Sequence, residues 1–280
     1  MKNTLKKWTA LLLTLTALTL TGCGDKSADD AAGDSGDGPT VVKVGVVGEY
    51  NDQWDTINEL LKDDNIQVEL VKFTDYAVPN RALNDGEIDL NAFQHKAFLA
   101  DSIEKNNYDI VDIGDTIVAP LAIFNNKDKI SSIEDIKDGD TIAIPSDLTN
   151  GGRALKLLES AGLIVCDPAK GLVPTKADIT EYKVQIEILE AESATLANLL
   201  PDCAAAIING GNAFTAGLNP KNDAIFVEDL DDVSHLVNVI AARTEDKDNE
   251  VYQKIVAAYH SDEVQKTIEE AYDGAFVCAW

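Results

Sequence analysis

Apolar residues along this chain alternate between strand-like and helix-like spacing from about residue 41 to the C-terminus. Residues 41–47 are almost wholly apolar and rich in Val, a pattern typical of a strand that is covered on both faces. The following apolar residues from Trp54 to Leu61 recur at helical spacing, and residues 66–73 alternate like a second strand. This alternation of strands and helices predicts an α/β protein with largely parallel sheets.

The same patterns predict the later elements. Strands are expected at residues 88–92, 110–125, 141–145, 184–190, 203–208, 224–227 and 237–242. Helices are expected at residues 79–84, 95–105, 151–161, 194–200, 249–260 and 262–271. Gly162, directly after the predicted helix 151–161, is the residue type that most often follows a helix C-terminus.

The first 23 residues have the pattern of a bacterial export signal. Three lysines within the first seven residues precede an apolar and Thr-containing run at 8–20, and small residues then lead to Cys23. The segment resembles a lipobox, which predicts a signal peptide at 1–22 and a lipidated Cys23 as the new N-terminus. An ordinary signal peptide with a coincidental Cys is the alternative. A membrane anchor is disfavoured because a spanning helix needs about 20 apolar residues.

The segment after Cys23 is expected to be a flexible tether. Residues 24–40 are dominated by Gly, Ser, Ala and Asp, without a large apolar side chain to bury. The roughly 240 residues that follow exceed what one compact core usually holds, so two lobes are predicted. We assign residues 41–122 to the first lobe, 123–223 to the second, and 224–280 to a return to the first lobe with C-terminal helices.

The charge balance excludes some partners. The chain has 23 basic and 49 acidic residues and a formal net charge of −26. Loss of the signal peptide would remove three lysines and no acidic residue. A nucleic acid or an anionic membrane surface is therefore disfavoured as a partner.

No motif indicates a metal, a cofactor or catalysis. Beyond Cys23 the cysteines are Cys166, Cys203 and Cys278, and they form neither a CxxC motif nor a Cys/His cluster. One disulfide with one free thiol, or three free thiols, are both compatible with this spacing. No nucleophile elbow, metalloprotease motif or phosphate-binding glycine loop is present. We therefore expect a binding protein and not an enzyme.

Two segments contain side chains suited to binding a small molecule. Phe93, His95 and Phe98 lie where a strand passes into a helix, although Phe is more often a core residue. Residues 149–152 form a predicted turn that opens a helix, so Arg153 and free backbone N–H groups are expected to meet and attract an anion. The alternative is that Arg153 pairs with a surface carboxylate.

Several motifs in chain order resemble the methionine-binding lipoproteins of the NlpA/MetQ type. They are Phe73-Thr74-Asp75-Tyr76, Pro79-Asn80, Leu83-Asn84-Asp85-Gly86, Asn91-Ala92-Phe93-Gln94-His95-Lys96, Asn150-Gly151-Gly152-Arg153-Ala154-Leu155, Ala216-Gly217-Leu218-Asn219-Pro220 and Gly274-Ala275-Phe276 to Trp280. The matches extend from about residue 41 to the C-terminus. The resemblance implies a two-lobed, type II periplasmic-binding-protein-like fold with the ligand cleft between the lobes.

The resemblance also implies which residues contact the ligand. The side-chain pocket would be walled by Tyr76, Phe93, His95 and Phe98. Arg153 would bind the ligand carboxylate, and Asn209 and Asn238 would contact the amino-acid backbone. Two positions depart from the family pattern: Phe98 stands where many relatives have Tyr, and Asn212 stands where an aromatic residue is commoner.

The expected function is capture of methionine by hinge closure, followed by delivery to the permease of an ABC importer. The protein would be lipid-anchored on the extracytoplasmic face of the membrane. Two alternatives stay open at this point. The same fold could bind another amino acid or a methionine-containing dipeptide, or it could serve as a surface adhesin with a degenerate cleft.

Overall fold

The structure is a computed structural model, and it describes residues 38–49, 51–231 and 233–280. The predicted signal peptide, Cys23 and most of the predicted linker lie outside the described residues. The strands are β1 Thr40–Val47, β2 Ile66–Phe73, β3 Leu90–His95, β4 Ile110–Asp115, β5 Ile117–Val118, β6 Leu121–Asn125, β7 Thr141–Pro145, β8 Ile164–Cys166, β9 Ile179–Tyr182, β10 Glu187–Ala191, β11 Ala205–Asn209, β12 Ala224–Val227, β13 Asn238–Arg243 and β14 Val277–Cys278. The helices are α1 Gln53–Leu60, α2 Pro79–Asn84, α3 Lys96–Asn106, α4 Leu148–Ser160, α5 Leu196–Leu199, α6 Gly210–Thr215, α7 Pro220–Asp223, α8 Glu250–Tyr259 and α9 Asp262–Ala271.

Two five-stranded sheets form the centres of two α/β lobes. The first has the order β2-β1-β3-β13-β4 and the second the order β10-β7-β11-β6-β12. In each sheet four strands run in one direction and one runs in reverse, namely β13 in the first and β6 in the second. Each reversed strand is the first long strand after the chain crosses between the sheets. The prediction of two largely parallel α/β lobes is therefore confirmed.

The sheets show where the chain changes lobe. β6 begins at Leu121 in the second sheet, and β12 pairs with β6 in that same sheet. The assignment of residues 224–227 to the returning segment was therefore wrong, because β12 extends the second sheet before the chain crosses back. Residues 116–120 and 228–237 connect the two sheets. The remaining division of the chain at 41–122, 123–223 and 224–280 stays a prediction.

Each sheet is packed against helices through a core of its own. The first core combines Val44 and Val46 of β1 with Trp54 of α1, Ile255 of α8 and Ile268 of α9. All five side chains are buried. β1 is an interior strand of its sheet, and the apolar run at 44–46 is buried there, whereas Val41 and Lys43 are exposed.

The second core is built on β6 and β7 and is covered by α4. Ile123, Ile142 and Ile144 from the strands contact Leu155 and Leu158 of the helix, and all five are buried. Helix α4 begins at Leu148, earlier than predicted, because the Asp147 side chain accepts a hydrogen bond from the Asn150 backbone N–H and caps it. Gly162 follows the helix end with φ +77°, as predicted.

Some elements were not anticipated from the sequence. The short hairpin β8–β9 and helix α6 have too few residues for their apolar pattern to show a period. Cys166 and Cys203 are buried free thiols, and Cys278 is a half-buried free thiol. Within the described parts of the chain, no helix is both long and apolar enough to cross a bilayer.

The first prediction concerns Gly210, at the start of α6. A Cβ atom there would lie 2.8 Å from Phe276 Cε1 and 3.1 Å from the Pro120 carbonyl oxygen, whereas a Cβ on Gly211 would meet nothing within 4 Å. We expect Gly210→Ala to lower the free energy of unfolding by about 1–3 kcal/mol through overpacking. The matched Gly211→Ala should be neutral or slightly stabilising, since Ala favours helix. Urea unfolding of both variants measures the difference, and equal effects would contradict this packing argument.

Candidate functional site

A cavity lies between the two sheets at the ends of their strands, and residues from both lobes line it. All seven residues that the sequence analysis selected lie on its wall, namely Tyr76, Phe93, His95, Phe98, Arg153, Asn209 and Asn238. Other lining residues include Gln53, Asn150, Asn212 and Phe276. The fold therefore brings together side chains that are up to 162 positions apart, from Tyr76 to Asn238.

Strand direction explains why these residues meet. Phe93 and His95 are at the carboxyl end of β3, and Asn209 is the last residue of β11. Asn238 is the first residue of β13, and because β13 is reversed, it pairs directly with His95 at the end of β3. The carboxyl ends of parallel strands are the usual place for ligand clefts in α/β sheets.

Three aromatic rings form one part of the wall. The Tyr76 and Phe93 ring centroids are 5.8 Å apart, and each lies 6.0 Å from the centroid of Phe98. Phe98 is in the first turn of α3, so the bend from β3 into α3 brings it beside Phe93, as the spacing predicted. These rings provide an apolar pocket with little conformational freedom.

Side-chain amides connect this wall to the opposite lobe. His95 Nε2 lies 3.2 Å from Asn150 Oδ1 across the cleft, and Asn209 Nδ2 lies 2.8 Å from the same oxygen. Asn212 Nδ2 makes a second contact across the cleft, 3.1 Å from the Tyr76 hydroxyl. The two lobes therefore touch through polar side chains around the cavity.

His95 is neutral in this environment. Burial, together with the nearby Arg153 charge, lowers its pKa from 6.5 to about 3. Its Nδ1 accepts a hydrogen bond of 3.1 Å from the Phe98 backbone N–H, so the single ring proton is on Nε2. The Tyr76 hydroxyl is also neutral, because burial and the Asp147 charge raise its pKa well above the ordinary value.

Arg153 differs from the prediction in its position and in its partner. It lies in the second turn of α4 and not at the helix start, because α4 begins at Leu148. The expected meeting of Arg153 with free N–H groups of the helix terminus was therefore wrong. Arg153 instead pairs with the Glu228 carboxylate through Nε, at 2.6 Å, and through Nη2. The Arg153 side chain is 7% exposed and the Glu228 side chain 12% exposed, so this is not the surface ion pair that we considered as the alternative.

The ion pair also reaches both segments that connect the lobes. Arg153 Nη2 donates to the Ala119 carbonyl oxygen at 2.9 Å, and the Leu121 backbone N–H donates to Glu228 at 3.1 Å. Ala119 is on the first crossing of the chain, Leu121 directly follows it as the first residue of β6, and Glu228 is on the second crossing. The hydrogen bonds of Arg153 to described residues are made by Nε and Nη2, and none is made by Nη1.

Two amide side chains of the wall have unused hydrogen-bonding capacity. Asn209 Oδ1 is buried and lacks a hydrogen-bond partner among the described residues. The Asn238 side chain, which is half-buried, also forms no hydrogen bond within the described parts of the chain. Buried polar atoms are nearly always paired, so an unpaired acceptor on a residue of the cavity wall is an exception that calls for an explanation.

Some residues of the site were not assigned a role from the sequence. Asn150 and Asn212 stand inside or beside the motifs that we compared with the family, and that was the available signal. Glu228 is one of 49 acidic residues, and nothing in the sequence distinguishes it from the others. Within the described residues, no group of three or more His, Cys, Asp or Glu side chains is arranged to hold a metal ion.

A buried amide cluster supports the strand end beneath the aromatic wall. Asn80 of α2 exchanges two hydrogen bonds of 2.6 Å with Gln94 of β3, and it accepts a third of 2.9 Å from Asn91. All three side chains are buried. This cluster fixes α2 against the end of β3 from which Phe93 and His95 extend.

Comparison with known proteins decides the family. The model of the family described as NlpA lipoprotein matches residues 42–280. The chain belongs to the NlpA lipoprotein family. This NlpA lipoprotein is 40% identical over 279 residues to the D-methionine-binding lipoprotein MetQ of Salmonella typhimurium, covering 98% of each chain. The resemblance stated from the motifs is therefore confirmed.

Solved structures agree with the fold of this NlpA lipoprotein. A crystal structure of the methionine-binding protein MetQ superposes with a TM-score of 0.82 at 40% identity, covering 86% of this chain and 98% of that one. A nutrient-binding protein from Burkholderia cenocepacia, solved with methionine bound, superposes with a TM-score of 0.81 at 34% identity, covering 85% and 100%. The predicted two-lobed type II fold is thereby confirmed.

The neutral His95 makes the stability of this NlpA lipoprotein dependent on pH. Between about pH 6.5 and pH 3 the unfolded chain binds a proton at His95 that the folded chain does not bind, so stability falls as the pH falls. At pH 5 the loss should be about 2 kcal/mol. We expect His95→Gln to remove that part of the loss between pH 7 and pH 5, measured by urea unfolding. An unchanged pH dependence in the variant would contradict a neutral buried His95.

Proposed function

We propose that this protein is the extracytoplasmic substrate-binding component of an ABC importer and that its ligand is methionine. The main support is the unpaired, buried Oδ1 of Asn209, a residue that lines the same cavity as a charged guanidinium and an apolar aromatic wall. An α-amino acid with an apolar side chain has a group for each of these: its ammonium donates to the acceptor, its carboxylate pairs with the guanidinium, and its side chain packs on the aromatic wall. The names of the relatives identify methionine as such a ligand.

The aromatic wall would receive the thioether side chain. Contacts between sulfur and an aromatic ring add about 0.3–1.5 kcal/mol each. Burial of a side chain of methionine size contributes about 1.5–3 kcal/mol. Tyr76, Phe93 and Phe98 provide these contacts, and His95, being neutral, adds no charge that would oppose apolar burial.

Arg153 would bind the ligand carboxylate through the donors of Nη1. Glu228 and Ala119 occupy the donors of Nε and Nη2, so the guanidinium is held in one orientation before the ligand arrives. A hydrogen bond to a charged group contributes about 1.5–3 kcal/mol. Asn209 and Asn238 would then bind the ammonium and carboxylate groups through their free amide atoms.

Capture would proceed by closure of the lobes about the two chain crossings. The contacts His95–Asn150 and Tyr76–Asn212 join the lobes, and the ligand would add contacts to both sides. A ligand shifts this equilibrium only by its greater affinity for the closed state. The closed form would dock on the permease, and the proposal includes no chemical step.

The proposed location follows from the export signal and from the lipoprotein family. Lipidation of Cys23 would anchor the chain on the extracytoplasmic face of the membrane, with the segment before Thr40 as the tether. Cys23 lies outside the described residues, so this anchor rests on the lipobox pattern and on the family.

A methionine-containing dipeptide remains the second candidate ligand. A further cavity of about 240 Å³ shares Tyr76, Phe98 and Asn212 with the first. Asn212 leaves this junction less filled than the aromatic residue that is commoner in the family. A second ligand residue would extend past Tyr76 into that space.

The direct test is to identify what the purified protein contains. The chain from Gly24 to Trp280 has no methionine of its own, since Met1 is the only one in the sequence. We expect denaturation and filtration of natively purified protein to release about one equivalent of methionine, measured by mass spectrometry. A dipeptide at that stoichiometry would favour the second candidate. No released ligand, followed by no binding of methionine or its dipeptides in calorimetry, would contradict both.

Substitution of the ion pair separates binding from stability. Arg153→Ala leaves the largely shielded Glu228 carboxylate without its cationic partner, which should cost about 3–5 kcal/mol in the free energy of unfolding. The matched double variant Arg153→Met/Glu228→Leu should recover most of that stability. Both variants should bind methionine about 10- to 100-fold more weakly, measured by calorimetry. Normal methionine affinity in the stable double variant would contradict the role of Arg153.

A further inference from the structure

We propose that Asn150 is a positioning residue that holds the amide NH₂ of Asn209 and so leaves the Asn209 carbonyl oxygen as a free acceptor for the ligand. The site thereby selects ligands whose α-substituent donates a hydrogen bond. The inference rests on the proposed function, because it specifies what the amino-acid ligand must present. Four described residues establish the argument: Asp147, Asn150, His95 and Asn209.

Asp147 is the first of two residues that fix the orientation of the Asn150 side-chain amide. Both carboxylate oxygens of Asp147 lie 3.1 Å from Asn150 Nδ2. An ionised carboxylate only accepts hydrogen bonds, so the Asn150 group that faces it must be the amide NH₂. The Asn150 backbone N–H, at 2.9 Å, and the Thr149 hydroxyl, at 3.0 Å, also donate to Asp147 and hold it in place.

His95, on the opposite lobe, is the second residue that fixes the orientation of the Asn150 amide. The Phe98 backbone N–H can only donate, and it points at His95 Nδ1, so the ring proton is on Nε2. Nε2–H therefore donates to the Asn150 side chain, which must present its oxygen there. Amide orientation is normally inferred from the hydrogen-bond network. Here two groups of fixed polarity require the same orientation of Asn150 independently.

The orientation of Asn150 determines that of Asn209. Asn150 Oδ1 is an acceptor, so the Asn209 group 2.8 Å away must be the amide NH₂. The Asn209 oxygen then points elsewhere and is the buried acceptor without a partner among the described residues. Asn150 itself is buried, with 2% of its surface exposed, so water cannot substitute readily for these contacts.

This polarity favours one class of α-substituent. An ammonium donates to Asn209 Oδ1 with full charge, and a hydroxyl donates without it. A keto oxygen can only accept, so it would face the Asn209 oxygen with no hydrogen between them. Methionine, its α-hydroxy analogue and its α-keto analogue have the same side chain and carboxylate. The order of their affinities therefore shows whether the Asn209 side chain presents an acceptor or a donor to the α-substituent.

The experiment is calorimetric titration of the Gly24–Trp280 chain with these three compounds. We expect the wild-type protein to bind methionine most tightly and the hydroxy acid less tightly. The affinity for the keto acid should be roughly 100-fold or more lower than that for methionine, since the keto acid leaves the buried Asn209 Oδ1 unpaired. Comparable affinity for methionine and the keto acid would overturn the inference while leaving the proposed function intact. Absence of methionine binding would overturn both.

Variants of Asn150 test whether this residue sets the preference. Asn150→Ala frees the Asn209 amide to rotate and donate to a keto oxygen, so the ratio of the two affinities should fall about tenfold or more. Asp147→Asn/Asn150→Asp exchanges the two groups with no change in net charge. The new carboxylate still only accepts from Asn209 and His95, so the ratio should stay within about threefold of wild type.

Asn212→Ala is the matched control, because it removes the other amide contact across the cleft without touching Asn209. Asn212→Ala should lower the affinities for methionine and for the keto acid by the same factor, so the ratio of the two affinities should not change. A merely structural role of Asn150 would do the same, so an unchanged ratio in Asn150→Ala would overturn the inference. If Asp147→Asn/Asn150→Asp kept its melting temperature but bound methionine and the keto acid with similar affinity, the inference would also be overturned.

Discussion

The buried ion pair between Arg153 and Glu228 holds the cleft together, because it joins helix α4 to both segments on which the lobes are connected. Removing two charges from water is expensive, and a buried pair persists only where further hydrogen bonds complete it. Here the Ala119 carbonyl oxygen and the Leu121 backbone N–H do so. As a result, Nε and Nη2 hold the guanidinium in one orientation, and Nη1 makes no hydrogen bond to a described residue. A flexible surface Arg would lose side-chain entropy on binding a carboxylate, and this one has already lost it.

Around this fixed cation, the polar groups of the cavity wall are mostly neutral, and they differ in which of their atoms donate and which accept hydrogen bonds. His95 is neutral, the Tyr76 hydroxyl is protonated, and the amides of Asn150 and Asn209 are oriented in sequence from Asp147. In the proposed function, the cavity of a strongly acidic chain can receive an anionic carboxylate because Glu228 is paired with Arg153 and Asp147 accepts hydrogen bonds from Thr149 and Asn150. Local pairing prevails over the net charge of −26, since solvent screens distant surface charges.

Much of the fold was predictable from the chain alone. Strand 66–73 and helices 79–84 and 262–271 match the observed bounds, since each is long enough to show its period or is bounded by Pro, Asp or Gly. The short elements β8, β9 and α6 were missed for lack of length. The start of α4 was misplaced because the capping role of Asp147 depends on a contact with Asn150 that no spacing rule isolates. Strand β12 was assigned to the wrong lobe, since its pattern indicates a strand but not which sheet it joins.

The sequence by itself determined which side chains were candidates for the site. Local patterns singled out Phe93, His95, Phe98 and Arg153, and the resemblance of the motifs to the family added Tyr76, Asn209 and Asn238; all seven line one cavity. Only the tertiary structure decided their partners and states. The pairing of Arg153 with Glu228 spans 75 positions and the contact of Asn209 with Asn150 spans 59, so both depend on how the sheets are ordered. Burial, which sets the charge of His95 and leaves Asn209 Oδ1 unpaired, exists only once the lobes are in contact.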